Sequence, residues 1–258
     1  MPSYLYALSP LAQLNLWDKT SGTWINVITV MLGTGIGLVV KSNIPAAIQQ
    51  VITQGLGLLT LFLGITMGQN LLKVQAGAID GIIIGLLAIV GGGMLGEWWQ
   101  LETRLNRLGD WLKQRVRGDA HFTTGFVTAS LFFCIGPMAI LGSLNNGLVG
   151  NNTILTIKAC MDGLAAIALT SRYGIGIGFS SFPILIYQGS LSLIASWFTK
   201  ILPDPTTAPP VIAISGVGGL IIMGIGLTLL DIVQIKIAAF LPALVLAPCL
   251  YALAKSWS

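Results

Sequence analysis

Charge is what this sequence most lacks. Lys, Arg, Asp and Glu make up 9% of its 258 residues, against roughly a quarter in a soluble domain, and the shortfall excludes an ordinary water-soluble globule. Histidine occurs once, as His121, so no second histidine can complete a metal site. Cys134, Cys160 and Cys249 lie singly in apolar runs without CxxC spacing, which implies neither a zinc site nor a disulfide framework. There is no nucleophile elbow. Asp80-Gly81 and Asp162-Gly163 suggest an aspartyl dyad, but Asp80 lies near a span end and Asp162 near a span centre, too far apart to share a proton. Gly33, Gly35 and Gly37 lie inside an apolar run, not at the strand-to-helix turn a dinucleotide loop needs. The expectation is a protein that is not an enzyme, with no cofactor and no metal.

The net charge of +4 does not indicate nucleic acid. Five of the 13 basic residues fall between Arg104 and Arg117 and the others sit singly beside apolar runs, a membrane-surface pattern. The first twenty residues lack a basic n-region, so no cleavable signal peptide is expected. Leu5, Leu8, Leu11 and Leu14 recur every three residues and Trp17 follows. This reads as a surface helix or extension over residues 1–21, ahead of a single transmembrane domain over 22–258.

Apolar residues are abundant: 54% of the chain is hydrophobic, with a mean hydropathy of +0.85, 32 glycines and 11 prolines. A span needs roughly 20 apolar residues to cross about 30 Å of hydrocarbon. Eight such stretches are present: Trp24 to Val40, Gln50 to Leu72, Ala76 to Leu95, Phe122 to Leu141, Thr153 to Ser171, Gly174 to Phe198, Pro210 to Leu230 and Ile235 to Ala254. The fold class expected is all-α, a polytopic transmembrane helix bundle of about eight spans.

Between spans three and four, Leu101, Leu105, Leu108, Leu112 and Val116 recur at helical spacing with Arg104, Arg107, Lys113, Arg115 and Arg117 on other faces. This predicts an amphipathic helix over Glu97 to Gly118 lying at the interface, with Trp98, Trp99 and Trp111 at headgroup level, or else packed on a partner. Basic residues favour the cytoplasmic side, so this segment is expected there, both termini outside, with Lys41, Arg172 and Lys236 inside.

A weak repeat runs through the chain. Gly57-Leu58, Gly64 and Thr66 recur at the same offset as Gly219-Leu220, Gly226 and Thr228, and with a small gap the match continues to Leu87-Ala88 and Leu246-Ala247. Spans one to three would then correspond to spans six to eight in opposite orientation, an inverted repeat of the kind that supports alternating access. Composition this rich in Gly, Leu and Ile also produces such matches by chance.

Lys158 and Asp162 lie one turn apart in span five. Each costs about 2.5 to 3.5 kcal/mol at a span centre even on the gentlest scale, so both should face the bundle interior, as a solute or ion pathway or as a structural ion pair. Gly136-Pro137 breaks span four, which ends in Asn145 and Asn146, and a broken helix with amides nearby can coordinate a solute. Asn26 in span one and Gln188 in span six are further intramembrane polar groups that can hydrogen-bond between helices or touch a solute. Spaced glycines such as Gly33 and Gly37, Gly64 and Gly68, and Gly92 and Gly96 are helix-packing signals.

The segment Gly125 to Ser143 (GFVTASLFFCIGPMAILGS), with Lys158 to Gly163 (KACMDG) and Gly22 to Asn26 (GTWIN), resembles the bacterial YdfK/YqgA family of polytopic membrane proteins, over Gly22 to Ala254. The resemblance implies the membrane class and supplies no substrate. Where the family pattern is expected to place an acidic residue before a glycine after span four, this chain has Asn146-Gly147.

The function expected is a secondary transporter or channel for a small solute or ion, with Asp162, Lys158, Asn26, Gly136, Pro137, Asn145, Asn146 and Gln188 along its pathway. The alternative is a membrane scaffold or sensor acting through the amphipathic helix. Its partners would be the lipid bilayer, a small solute or ion and, as an open alternative, a second copy of the chain. Its place would be the cell (inner) membrane or another internal bacterial membrane.

Overall fold

A computed structural model describes residues 15–201 and 208–256 as an all-α bundle. The part of the expected surface helix over residues 1–14 lies outside the described residues. Leu16 to Ser21 do not form a separate element: they are the first turns of α1, which runs unbroken over Leu16–Asn43. The earlier start has a local cause. Asn15 accepts the Asp18 backbone N–H at 2.8 Å and donates its own to the Asp18 carboxylate, a capping box that holds two charges at a helix end rather than in hydrocarbon.

Helix α2 (Ala46–Gly68) continues as a 3₁₀ turn, Gln69–Lys73, into a hairpin of two short strands, β1 (Gln75–Ala76) and β2 (Ile79–Asp80). The third span therefore starts later than its apolar run, as α3 over Gly81–Trp98, and Asp80 is exposed at its start. The amphipathic segment is α4, Leu101–Val116, bounded by Gln100 and Arg117, both with left-handed backbone. The fourth span is two helices, α5 (Phe122–Cys134) and α6 (Pro137–Val149), bent by 61°. Helix α7 covers Thr153–Tyr173 and ends at Gly174, whose φ of +76° suits glycine. A single turn α8 (Gly176–Phe179) leads into α9 (Ser181–Ile201), then come α10 (Pro209–Leu229), a 3₁₀ turn at Ile237–Phe240 and α11 (Ala243–Ser256). Large apolar side chains such as Leu32, Leu58, Phe62, Leu86, Met94 and Val245 point outward, the pattern of a lipid-facing surface.

Seven stretches of the described residues are long and apolar enough to cross a membrane, and α5 with α6 makes an eighth if the pair counts as one. Packing direction decides the count. Along α1, Gly22 meets Leu155, Gly33 meets Gly163 and Ala166, and Gly37 meets Thr170, so α1 and α7 run parallel. Parallel helices need an even number of steps between them, which requires α5–α6 to be a crossing rather than a re-entrant loop. The ends of that pair agree. Asp119, just before α5, binds Lys41 near the end of α1 at 2.7 Å, whereas Asn146 near the end of α6 binds the Gly22 backbone at 2.9 Å. Gly22 and Lys41 are about 28 Å apart along an α-helix at 1.5 Å per residue, the thickness of a hydrocarbon core.

The inverted repeat is visible as packing. A shift of 162 positions carries Gly57 to Gly219 and Gly64 to Gly226, and the contacts follow it. Gly57 lies against Leu230 and Gly219 against Gly68, which are related by that shift; so are the contacts of Gly64 with Met223 and of Gly226 with Leu61. Helices α2 and α10 thus cross antiparallel about a pseudo-two-fold axis, with α3 and the α11 segment also antiparallel through Gly92 on Ala243 and Gly96 on Ala239. The closeness comes from glycine: a β-carbon on Gly96 would stand 1.9 Å from the Ala239 carbonyl oxygen.

The basic face is tied by ion pairs that join distant segments: Lys41 with Asp119, Arg172 with Asp231 at 2.7 Å, and Lys236 with Glu97 at 2.6 Å. Helix α4 lies along this face, its Asp110 accepting from Thr123 and its Glu102 from the Ala238 N–H. Eight crossings make a direct prediction. In a chain freed of native cysteines, single cysteines at Asp119 and Asn151 should react with an impermeant maleimide from opposite sides of sealed vesicles; labelling from the same side would make α5–α6 a re-entrant loop.

Candidate functional site

The break between α5 and α6 opens a cavity of about 390 Å³. Gly136 has φ +151° and ψ +151°, a conformation open to glycine, and Pro137 then restarts the helix from its first position, where its missing N–H costs nothing. The cavity walls are apolar: Leu56, Leu59 and Leu63 of α2, Ile135 and Met138 at the break, and Ile222 of α10. Leu59, Met161 and Leu164 on its rim are exposed, so the cavity opens between α2 and α7 toward the lipid-facing surface.

Its charged lining consists of Lys158 and Asp162, buried one turn apart on α7 and joined Nζ to Oδ2 as an ion pair. The same carboxylate oxygen accepts Asn26 Nδ2 of α1 at 2.9 Å, and Asn26 Nδ2 also reaches Gln188 Oε1 of α9 at 3.3 Å. Lys158 Nζ lies 6.0 Å from the centre of the Phe133 ring on α5, a distance at which a cation is attracted to the ring face. Helix positions explain the convergence. Gly163 follows Asp162 and packs on Thr29, and Gly33 packs on the Gly163 carbonyl, which brings α7 close enough to α1 for Asn26 to reach the carboxylate.

Asn26 and Gln188 are themselves related by the 162-residue shift, so this hydrogen bond lies where the two pseudo-symmetric halves meet. Both residues are fully buried, and Asn26 Oδ1 and Gln188 Nε2 have no partner among the described residues. A buried amide with an unmet acceptor costs about 1 to 3 kcal/mol, so an orphan here is a feature to be explained.

Of the residues singled out in the sequence, Asp162, Lys158, Gly136 and Pro137 line one cavity, and Asn26 and Gln188 stand directly behind it. Asn145 and Asn146 do not join them. Asn146 ties α6 to the first turns of α1, accepting from Gly22 and donating to the Asp18 carbonyl at 2.8 Å and to Ser21 Oγ at 3.2 Å. Nine helical steps separate Gly136 from Asn145, about 13 Å of rise, so the break and these amides form two places rather than one. Phe133 and Met161 escape sequence reasoning, since an aromatic and a methionine in an apolar run carry no mark of their neighbours. Extending the repeat back into span one would have paired Asn26 with Gln188.

A family described as "Protein of unknown function (DUF554)" matches residues 21–252. The chain is 29% identical over 227 residues to "Uncharacterized membrane protein YdfK" of Bacillus subtilis (strain 168), covering 88% of this chain and 93% of that protein. It is 28% identical over 242 residues to "Uncharacterized protein YqgA" of Escherichia coli (strain K12), covering 92% and 98%. No solved structure matches.

The amide contact can be weighed directly. Replacing Asn26 by Leu removes one of the two hydrogen bonds to Asp162 Oδ2 and leaves Gln188 Oε1 unmet, with an expected cost of about 1 to 3 kcal/mol. Thermal unfolding in detergent should show a lower midpoint; an unchanged midpoint would mean that the amide does not hold the carboxylate.

Proposed function

Because the chain belongs to the DUF554 family of proteins of unknown function, we propose its activity from its own geometry: it is a secondary transporter whose solute site is the cavity at Lys158 and Asp162. The observation that carries this is an ion pair kept inside a cavity at a helix break, in the apolar depth of a membrane protein. A pair serving only to fix register needs no cavity around it, and well-packed apolar residues do as well or better by about 1 to 4 kcal/mol. The inverted crossing of α2 with α10 supports the same reading, because two pseudo-symmetric halves can exchange conformations around a fixed site. The burial of Asn26 and Gln188 closes the cavity toward α1 and α9, which favours a carrier over an open channel.

On this reading the basic face with α4 is cytoplasmic and the membrane is the cell membrane. A second reading, a scaffold or sensor, is favoured by one feature of α4: Leu105 and Leu112 pack on the bundle while Leu108 and Trp111 stay exposed. Exposed residues of that kind on an interfacial helix also suit lipid.

The test is uptake into proteoliposomes of labelled anions, cations, amino acids and organic acids under an imposed pH gradient. The native chain should accumulate one class and Asp162→Asn should lose at least tenfold of that rate. Background uptake of every class by both proteins would overturn the transporter and leave the scaffold, for which removal of 97–118 should abolish partner recruitment.

A further inference from the structure

We propose that the cavity binds an apolar-tailed monocarboxylic acid together with its proton, the carboxylate resting on Lys158 and the proton on Asp162. The inference rests on the transport reading and names its substrate class.

The rim of the cavity is the first argument. Leu59, Met161 and Leu164 are exposed on the lipid-facing surface, so the route in passes through hydrocarbon, and the walls behind them are apolar. A molecule that arrives this way has an apolar body and enters uncharged, since hydrocarbon does not solvate a charged group. A carboxylic acid in its protonated form meets both conditions.

The charged floor is the second. A neutral acid beside the Asp162–Lys158 pair exchanges one proton: the O–H bond of the acid breaks, an O–H bond forms on Asp162, and the new carboxylate takes the Lys158 ammonium. Charge is conserved, one ion pair replaces another, and no ion is left unpaired in an apolar place. A neutral lipophilic amine balances in mirror image, by taking a proton from Lys158 and pairing with Asp162, so the choice of acid over amine rests on the helix end and the orphan amide oxygen. The α6 N-terminus at Gly136 and Pro137 lines the same cavity and presents its positive end to an anion.

The orphan amide oxygen is the third. Asn26 already donates Nδ2 to Asp162, and its buried Oδ1 has no donor among the described residues. Protonated Asp162 supplies that donor, so carboxylic acid and amide close a two-bond ring. Each partner of the ion pair thus keeps a hold when the pair opens, Asp162 on Asn26 and Lys158 on the Phe133 ring. From neighbouring helices, the titratable group among the described residues that faces this pair is the Cys134 thiol of α5, and the Tyr187 phenol of α9 faces Cys134 in turn; the buried Asn26 and Gln188 amides facing the pair carry no charge.

The experiment is titration of the full chain in nanodiscs with octanoate, against empty nanodiscs, in buffers of different ionisation enthalpy so that protons are counted with heat. The native chain should take up about one proton per octanoate bound, and its Kd should rise about tenfold per pH unit above neutrality, because binding consumes a proton. Asp162→Asn should bind octanoate with no proton uptake and little pH dependence, a result a structural role would not give. Lys158→Met with Asp162→Asn, which leaves no unpaired charge to unfold the chain, should weaken binding at least thirtyfold. Native binding without proton uptake, preference for octylamine, or native affinity in the double variant would overturn the proposal. If octanoate fails while another solute is still carried in an Asp162-dependent way, the transport reading stands and the substrate class falls. If octanoate binds with its proton and nothing is carried, the site stands and the transport reading falls.

Discussion

A bilayer offers no hydrogen bonds, so each polar group placed in it must be met from within the protein. Among the described residues the Lys158–Asp162 pair is the severest demand of this kind, and several helices meet it. Asn26 reaches the carboxylate from α1, Phe133 stands under the ammonium from α5, and Gln188 backs the amide from α9. Several lesser polar groups are met inside their own helices: Thr34, Thr53, Thr60 and Ser130 each donate to a carbonyl four residues back. At the pair, side-chain hydrogen bonds join α1, α7 and α9 in one buried chain.

Glycine makes those approaches possible. Gly33 and Gly163 bring α1 onto α7, and Gly57, Gly64, Gly219 and Gly226 bring α2 onto α10. A β-carbon on Gly33 would lie 2.3 Å from the Gly163 carbonyl oxygen and one on Gly219 2.4 Å from the Gly68 nitrogen. The two crossings serve different ends. The first sets the distance between Asn26 and Asp162; the second lies on the pseudo-two-fold axis and relates one half of the bundle to the other.

The eight apolar runs were legible because hydrocarbon thickness fixes their length, and the break was legible because Gly136-Pro137 both frees and restarts the backbone. The start of α1 was not, since Asp18 and Lys19 lower the local hydropathy although a capping box accommodates them at a helix end. The hairpin at Gln75 to Asp80 was lost inside an apolar run, because two-residue strands leave no periodicity to read. Residue spacing put Lys158 and Asp162 on one face but could not say what that face meets. Asn145 and Asn146 looked like part of the break because sequence distance hides helical rise. Partnerships between distant helices, such as Asn26 with Asp162, need the packing direction that glycines enable without specifying.

The central claim is that the buried ion pair is kept for a solute and not for the fold. It is tested most directly by replacing both charges at once, Lys158→Met with Asp162→Leu, and measuring unfolding midpoint and solute uptake on the same preparation. The account predicts a chain at least as stable as the native one that carries nothing, because an apolar pair packs without a desolvation cost and offers no charge to a solute. A double variant that carries solute at the native rate, or one that fails to fold, would contradict it.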